Sequence, residues 1–154
     1  MKNFRSRGFT LIELLVVIGI LAILLAITLI AINPQRQFQQ SNNTKRSSDV
    51  NAILNAINQV AADNRGALPA GIDSSIRTIS NDTNINATAR VDICASMVPT
   101  YIAALPVDPG IAGSPVTDCT ATYNTGYTVV SSGANRITVA APGAQLAATI
   151  QVTR

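Results

Sequence analysis

The 154-residue chain has no histidine, no tryptophan, two cysteines and one glutamate, Glu13. Each shortage removes a class of chemistry. Without histidine there is no Ser-His-Asp or Cys-His nucleophile and no HExxH metal site. Two cysteines, Cys94 and Cys119, cannot by themselves build the usual four-ligand zinc site. The other acids are all aspartate, and they form no cluster of the EF-hand sort. The body arginines Arg65, Arg77, Arg90, Arg136 and Arg154 occur one at a time, whereas a nucleic-acid stripe needs clustering. These absences predict a non-enzymatic protein with no catalytic residue, no cofactor, no metal site and no direct nucleic-acid contact.

The informative stretch lies at residues 2–32: KNFRSRG, FTLIE, LLVVIGILAILLAITLIAI. A short basic leader ends at Gly8, and an apolar run extends from Phe9 to Ile32. Those 24 residues form a helix of about 36 Å at 1.5 Å per residue, enough to cross a hydrocarbon core of about 30 Å. The run is longer than a secretory signal core of about 7–15 residues, and no A-x-A-like cleavage site follows it. A plain membrane anchor accounts for the length.

It does not account for Glu13. A carboxylate inside a membrane helix costs on the order of 2–3 kcal/mol on insertion scales. Such a group needs a cation. Cleavage after Gly8 creates one, the α-amine of Phe9. Glu13 of one copy paired with the Phe9 amine of the next sets the axial register of a bundle of otherwise apolar helices.

The run RGFTLIELLVVIGILAILLAI resembles the N-terminus of type IV pilins and of the type II secretion pseudopilins. Gly8, Phe9, Thr10, Leu11 and Glu13 match the family by type and spacing. The resemblance implies cleavage between Gly8 and Phe9 by a prepilin peptidase, methylation of the Phe9 amine, and an assembly role for Glu13. It implies as partners identical or related pilin subunits, the peptidase, an inner-membrane assembly platform, and membrane lipid before assembly. It covers about a third of the chain strongly. Proline sits in the middle of the apolar segment in many pilins; here Pro34 stands at the membrane exit. Residues Leu105–Gly110, LPVDPG, are similar to a turn found before the sheet in pilins of simple build. Some pseudopilins bind calcium before and within the sheet; the corresponding stretch here offers Asp108, Asp118 and Asn135, which read better as turn residues.

Three of the eleven basic residues, Lys2, Arg5 and Arg7, lie in the leader, and the remaining eight face eight acids. The mature chain is neutral, so its basic isoelectric point is no argument for nucleic acid. The leader charges hold the N-terminus in the cytoplasm and place the body outside it. In that oxidising setting an even cysteine count favours a Cys94–Cys119 disulfide. The alternative is two separate buried thiols.

The expected organisation is a leader at 1–8, a transmembrane and filament-core helix at 9–32, its amphipathic continuation at 33–64, and an exported head at 65–154. Val50, Ile53, Leu54, Ile57, Val60 and Ala61 recur at helical spacing. We read one helix from about Phe9 to Asn64, bent near Pro34, or else broken in the polar stretch and restarted at Ser47 or Ser48. Gly66, Pro69 and Gly71 end it. Residues 65–90 read as a surface loop with a short strand near Ile76–Ile79. Residues 91–105 suggest helical turns capped by Asp92 and broken at Pro99. Tyr127–Ser131 and Arg136–Ala140 flank the turn Ser132-Gly133-Ala134-Asn135 as a hairpin, with Ala148–Thr153 as a third strand. The fold class is α+β: a long helix on a three-stranded antiparallel sheet. Tyr101, Tyr123 and Tyr127 are assigned to packing ahead of a surface patch. Asn-x-Thr triplets begin at Asn42, Asn81 and Asn86, a weak signal in an Asn/Thr-rich chain.

Two filament readings remain open, a type IV pilus and a type II pseudopilus. The absent calcium acids and the paired cysteines tilt toward the pilus. A single-pass anchored binding module that never polymerises is the third.

Overall fold

The computed structural model describes residues 8–133 and 136–154. Residues 1–7, Ala134 and Asn135 lie outside the described residues. So does half of the expected hairpin turn Ser132-Gly133-Ala134-Asn135.

The chain divides into two units, residues 1–38 and 39–154. In the first, α1 spans Leu11–Ile32 and none of its residues is buried. It ends at Asn33, which takes a left-handed conformation at φ 47°. Asparagine tolerates that region better than other non-glycine residues. Pro34 then opens α2, Pro34–Asp63. Proline suits a first helical position because its missing N–H has no partner there in any case. The Asn33 side-chain oxygen accepts from the Arg36 N–H at 3.3 Å. One residue therefore closes the first helix and caps the second. The single bent helix expected from sequence is in fact two helices. The polar stretch after Pro34 stays helical, with no restart at Ser47 or Ser48.

The second unit, residues 39–154, contains the remainder of α2 and a five-stranded sheet. The strands are β1 (Arg77–Ser80), β2 (Arg90–Val91), β3 (Asn124–Ser131), β4 (Ile137–Ala140) and β5 (Gln151–Thr153), ordered β2-β1-β3-β4-β5. A single turn of helix, α3, covers Cys94–Met97. The expected antiparallel trio is present as β3, β4 and β5, with Val129 opposite Val139 and Val139 opposite Val152. The sheet is larger than expected and mixed. The 65–90 segment contributes β1, antiparallel to β3, and the next residues contribute β2, parallel to β1. Two-residue strands carry too short a pattern to be seen in sequence. The fifth strand starts three residues later than expected, after a turn in which Leu146 and Ala147 both adopt positive φ.

The apolar stripe of α2 forms one side of the core. Val50, Ile53, Leu54 and Ile57 are fully buried, as are Ile79, Tyr127, Ile137 and Val139 from the sheet. Helix α2 ends with Arg65 and Gly66 at positive φ, and the Gly66 N–H returns to the Ala61 carbonyl at 2.7 Å. That is the hydrogen bond of a Schellman cap. Tyr123 and Tyr127 are buried and Tyr101 donates to Asp63 at 2.8 Å, so the tyrosines serve packing and local bonding.

Candidate functional site: the start of the apolar helix

Thr10 stands at the N-cap of α1 in extended conformation, φ −81° and ψ 151°. Its hydroxyl oxygen accepts from the Glu13 N–H at 3.3 Å. Glu13 reaches back, and its Oε2 accepts from the Thr10 N–H at 2.8 Å and the Thr10 hydroxyl at 2.7 Å. This reciprocal pair is a capping box, which satisfies donors that a helix start otherwise leaves open. The carboxylate is thereby held at the positive end of the helix dipole. Both contacts fall on Oε2, and Oε1 has no partner among the described residues.

Gly8 and Phe9 precede the cap in an exposed, non-helical stretch. Phe9 is 83% exposed. Glu13 is therefore fixed one helical turn from the Gly8–Phe9 bond, at the rim of a cylinder that is apolar beyond it except for Thr28. A cation brought to that rim finds an oriented carboxylate with one oxygen free. Gly19, the only glycine inside α1, has no heavy atom near its missing Cβ, so its space is open to a neighbour. Sequence reasoning had Glu13 but missed the role of Thr10. The T-x-x-E pattern ahead of an apolar run was the available signal.

The two cysteines are bonded, Cys94 to Cys119, with Cα atoms 5.5 Å apart. The bond ties α3 to the loop before β3. The aspartates weighed as calcium ligands are occupied in other ways. Asp118 accepts from the N–H and hydroxyl of Thr120. Asp108 is buried against Arg46, and Asn135 lies outside the described residues.

Arg46 is the largest surprise of the body. It is 1% exposed, on the same helix as the apolar stripe. Its Nε and Nη2 donate to the two oxygens of Asp108 at 2.7 and 2.9 Å. Its Nη1 donates to Asn43 at 3.1 Å. Asp108 also accepts from the Gly110 N–H at 2.6 Å. A Cβ on Gly143 would stand 2.9 Å from an Asp108 oxygen, so the glycine makes room for the carboxylate. Nearby, Asp49 takes Lys45 at 2.6 Å and the Tyr127 hydroxyl at 2.7 Å. Burial pushes the Asp108 carboxyl up, but the Arg46 hydrogen bonds, the Gly110 N–H and the charges of Arg46 and Lys45 outweigh it and hold the group below its ordinary range. Burial and the Asp49 hydrogen bond push the Tyr127 hydroxyl far up. The cluster fastens the turn at Leu105–Gly110 and the segment around Gly143 to α2. It is a clamp.

A family model described as the prokaryotic N-terminal methylation motif matches residues 3–29. The chain carries the type IV prepilin signature. That signature is shared by type IV pilins and pseudopilins, which are structural filament proteins, and the α+β architecture is consistent with the pilin fold. No curated protein and no solved structure matches the chain. The signature covers the leader and most of α1, while the body from Gln39 onward stands on its own geometry.

Proposed function

We propose that this prepilin-type protein is a structural subunit of a type IV pilus-like filament. The observation that carries the reading is the methylation motif with Glu13 fixed one turn after the Gly8–Phe9 bond. The leader is hydrolysed from the chain at Gly8–Phe9 by prepilin peptidase on the cytoplasmic side. The new Phe9 amine is methylated and stays cationic. Glu13 of one subunit accepts that amine from its neighbour, through the oxygen the capping box leaves free. The pairing neutralises two charges that neither the bilayer nor an apolar filament core solvates. Before assembly α1 anchors the chain in the inner membrane with the body outside the cytoplasm. After assembly the α1 helices pack together and the bodies face outward.

The alternative is a pseudopilin of a type II secretion system, which uses the same processing and the same helix packing. The occupied Asp108 and the Cys94–Cys119 bond favour the pilus. A non-polymerising anchored module is less well supported, because it gives Glu13 no partner.

The test is the N-terminal mass of the protein recovered from sheared surface material and from membranes. A start at methylated Phe9 in sheared filaments is the expected result. The same processed form confined to membranes favours the pseudopilin. An intact leader, in a host with active prepilin peptidase, overturns the filament reading.

A further inference from the structure

The membrane reading gives residues 9–32 to the bilayer and says nothing of how the exit is held. Immediately beyond Ile32 three features occur together. The first is the break at Asn33, where the left-handed residue interrupts the helical hydrogen-bond ladder. Broken backbone is not tolerated facing lipid hydrocarbon, because its polar groups have no partner there. The break therefore marks the hydrocarbon boundary. The length agrees: the 22 residues of α1 span about 33 Å against a core of about 30 Å.

The second is Arg36, the first ionisable side chain after Glu13, which is exposed. The third is Phe38, the only large apolar side chain between Ile32 and Val50, and 72% exposed in an otherwise polar stretch. Phe38 lies five residues, about 7.5 Å of helix rise, beyond the break. The headgroup layer on each side of a bilayer is about 5–7 Å deep. Side chains on a helix lean toward its N-terminus, which here is back toward the membrane. The Phe38 ring is thus returned to the depth of the headgroups, where aromatic side chains concentrate. A helix crossing that layer meets headgroups on every side, so Arg36 and Phe38 need not share a face.

We infer that Arg36 and Phe38 form an interfacial anchor on the outer leaflet, with the guanidinium on phospholipid phosphate and the ring at the acyl–headgroup boundary. The anchor rests on the membrane reading above, and it adds a contact that must be released when the subunit leaves the bilayer. A second copy of the chain is the competing occupant of Phe38.

The chain has no tryptophan, so single substitutions create unique fluorophores. The full chain carrying Phe38→Trp, and separately Leu21→Trp as a mid-span reference, is reconstituted into vesicles of phosphatidylethanolamine and phosphatidylglycerol. The vesicles are doped with phosphatidylcholine brominated near either the headgroup end or the methyl end of the acyl chain. The expected result is that Leu21→Trp is quenched most by the deep bromines and Phe38→Trp most by the shallow ones, with blue-shifted emission. Arg36→Gln in the Phe38→Trp background weakens the shallow quenching and shifts emission to the red. Unquenched, water-like emission at position 38 with a quenched position 21 overturns the anchor and leaves the membrane span intact. A blue shift that grows with protein-to-lipid ratio and escapes both quenchers also overturns it, in favour of contact between copies. No quenching at position 21 removes the membrane reading itself. Emission unchanged by Arg36→Gln removes Arg36 from the anchor.

Discussion

Helix α1 and the body treat apolar side chains in opposite ways. In α1 every one is exposed. In the body Val50, Ile53, Leu54, Ile57, Ile79, Tyr127, Ile137 and Val139 are sealed within one core. The treatment of charge is reversed too. The rod keeps a single carboxylate at its rim, which among the described residues accepts only from its own helix start. The body buries a complete ion pair, Arg46 and Asp108, with each guanidinium and carboxylate edge matched. Among the described residues the body therefore leaves no buried polar side chain without a partner, whereas the rod's carboxylate is only half used. A segment with exposed apolar area and an incompletely used carboxylate needs lipid or other copies of itself. On the proposed reading, that division puts assembly in α1 and leaves the body as a self-contained unit.

The largest effect follows from breaking the rod's side of this contrast. Glu13→Gln removes the charge that meets the neighbouring amine but keeps side-chain size. Processed protein is expected in membranes and sheared filaments are expected to vanish, as read by immunoblot of the two fractions. Thr10→Ala sharpens the result by loosening the cap, at about 1 kcal/mol, while keeping the carboxylate. Filaments are expected to persist at reduced yield. Equal loss in both variants would mean that Glu13 acts only as a helix cap.

Next comes the clamp. Arg46→Ala leaves Asp108 buried without its cation, an expected cost of about 3–5 kcal/mol to the body. The paired change Arg46→Met with Asp108→Leu is expected to cost much less than the sum of the singles. Urea unfolding of the full chain in detergent, followed by tyrosine absorbance, measures both. Replacing Cys94 and Cys119 together with serine reopens a link between residues 25 apart, for an expected loss of about 3 kcal/mol. The same unfolding curve reads it, and reductant added to the unsubstituted protein reproduces it.

The smallest expected effect is with acid. The Asp108 carboxyl is held below its ordinary range when folded, so its contribution is fully present above the unfolded value of about 3.9. It is lost as pH falls through the lower folded value. Asp73, exposed beside Arg77, is lowered to about 2 and adds a weaker effect of the same sign. Thermal unfolding should be level from neutral pH to about pH 5 and decline below pH 4. In Asp108→Asn the acid-dependent part of that decline should shrink. An undiminished slope would assign it to other carboxylates.

Much of this protein was legible without coordinates. The apolar length, the basic leader and the lone Glu13 each have a meaning that depends only on local sequence and on the bilayer. The stripe from Val50 to Val60 is a period, and a period survives whatever it packs against. The hairpin strands alternate strongly enough to be read. What escaped was of another kind. Strand β2 is two residues long and pairs in parallel with β1, so nothing in its own composition marks it. The break at Asn33 depended on a residue that can equally continue a helix. Arg46 sits among Asn, Thr, Lys and Ser, a polar stretch whose burial pattern is invisible. Its partner lies 62 residues away in a turn that reads as surface. By itself, then, the sequence determined which segment is long and apolar enough to cross a membrane and where a carboxylate interrupts it, because hydrophobic length and the cost of a carboxylate in lipid are properties of the segment. Tertiary structure decided which polar groups close on one another, because a buried ion pair exists only when two distant stretches arrive with matching geometry.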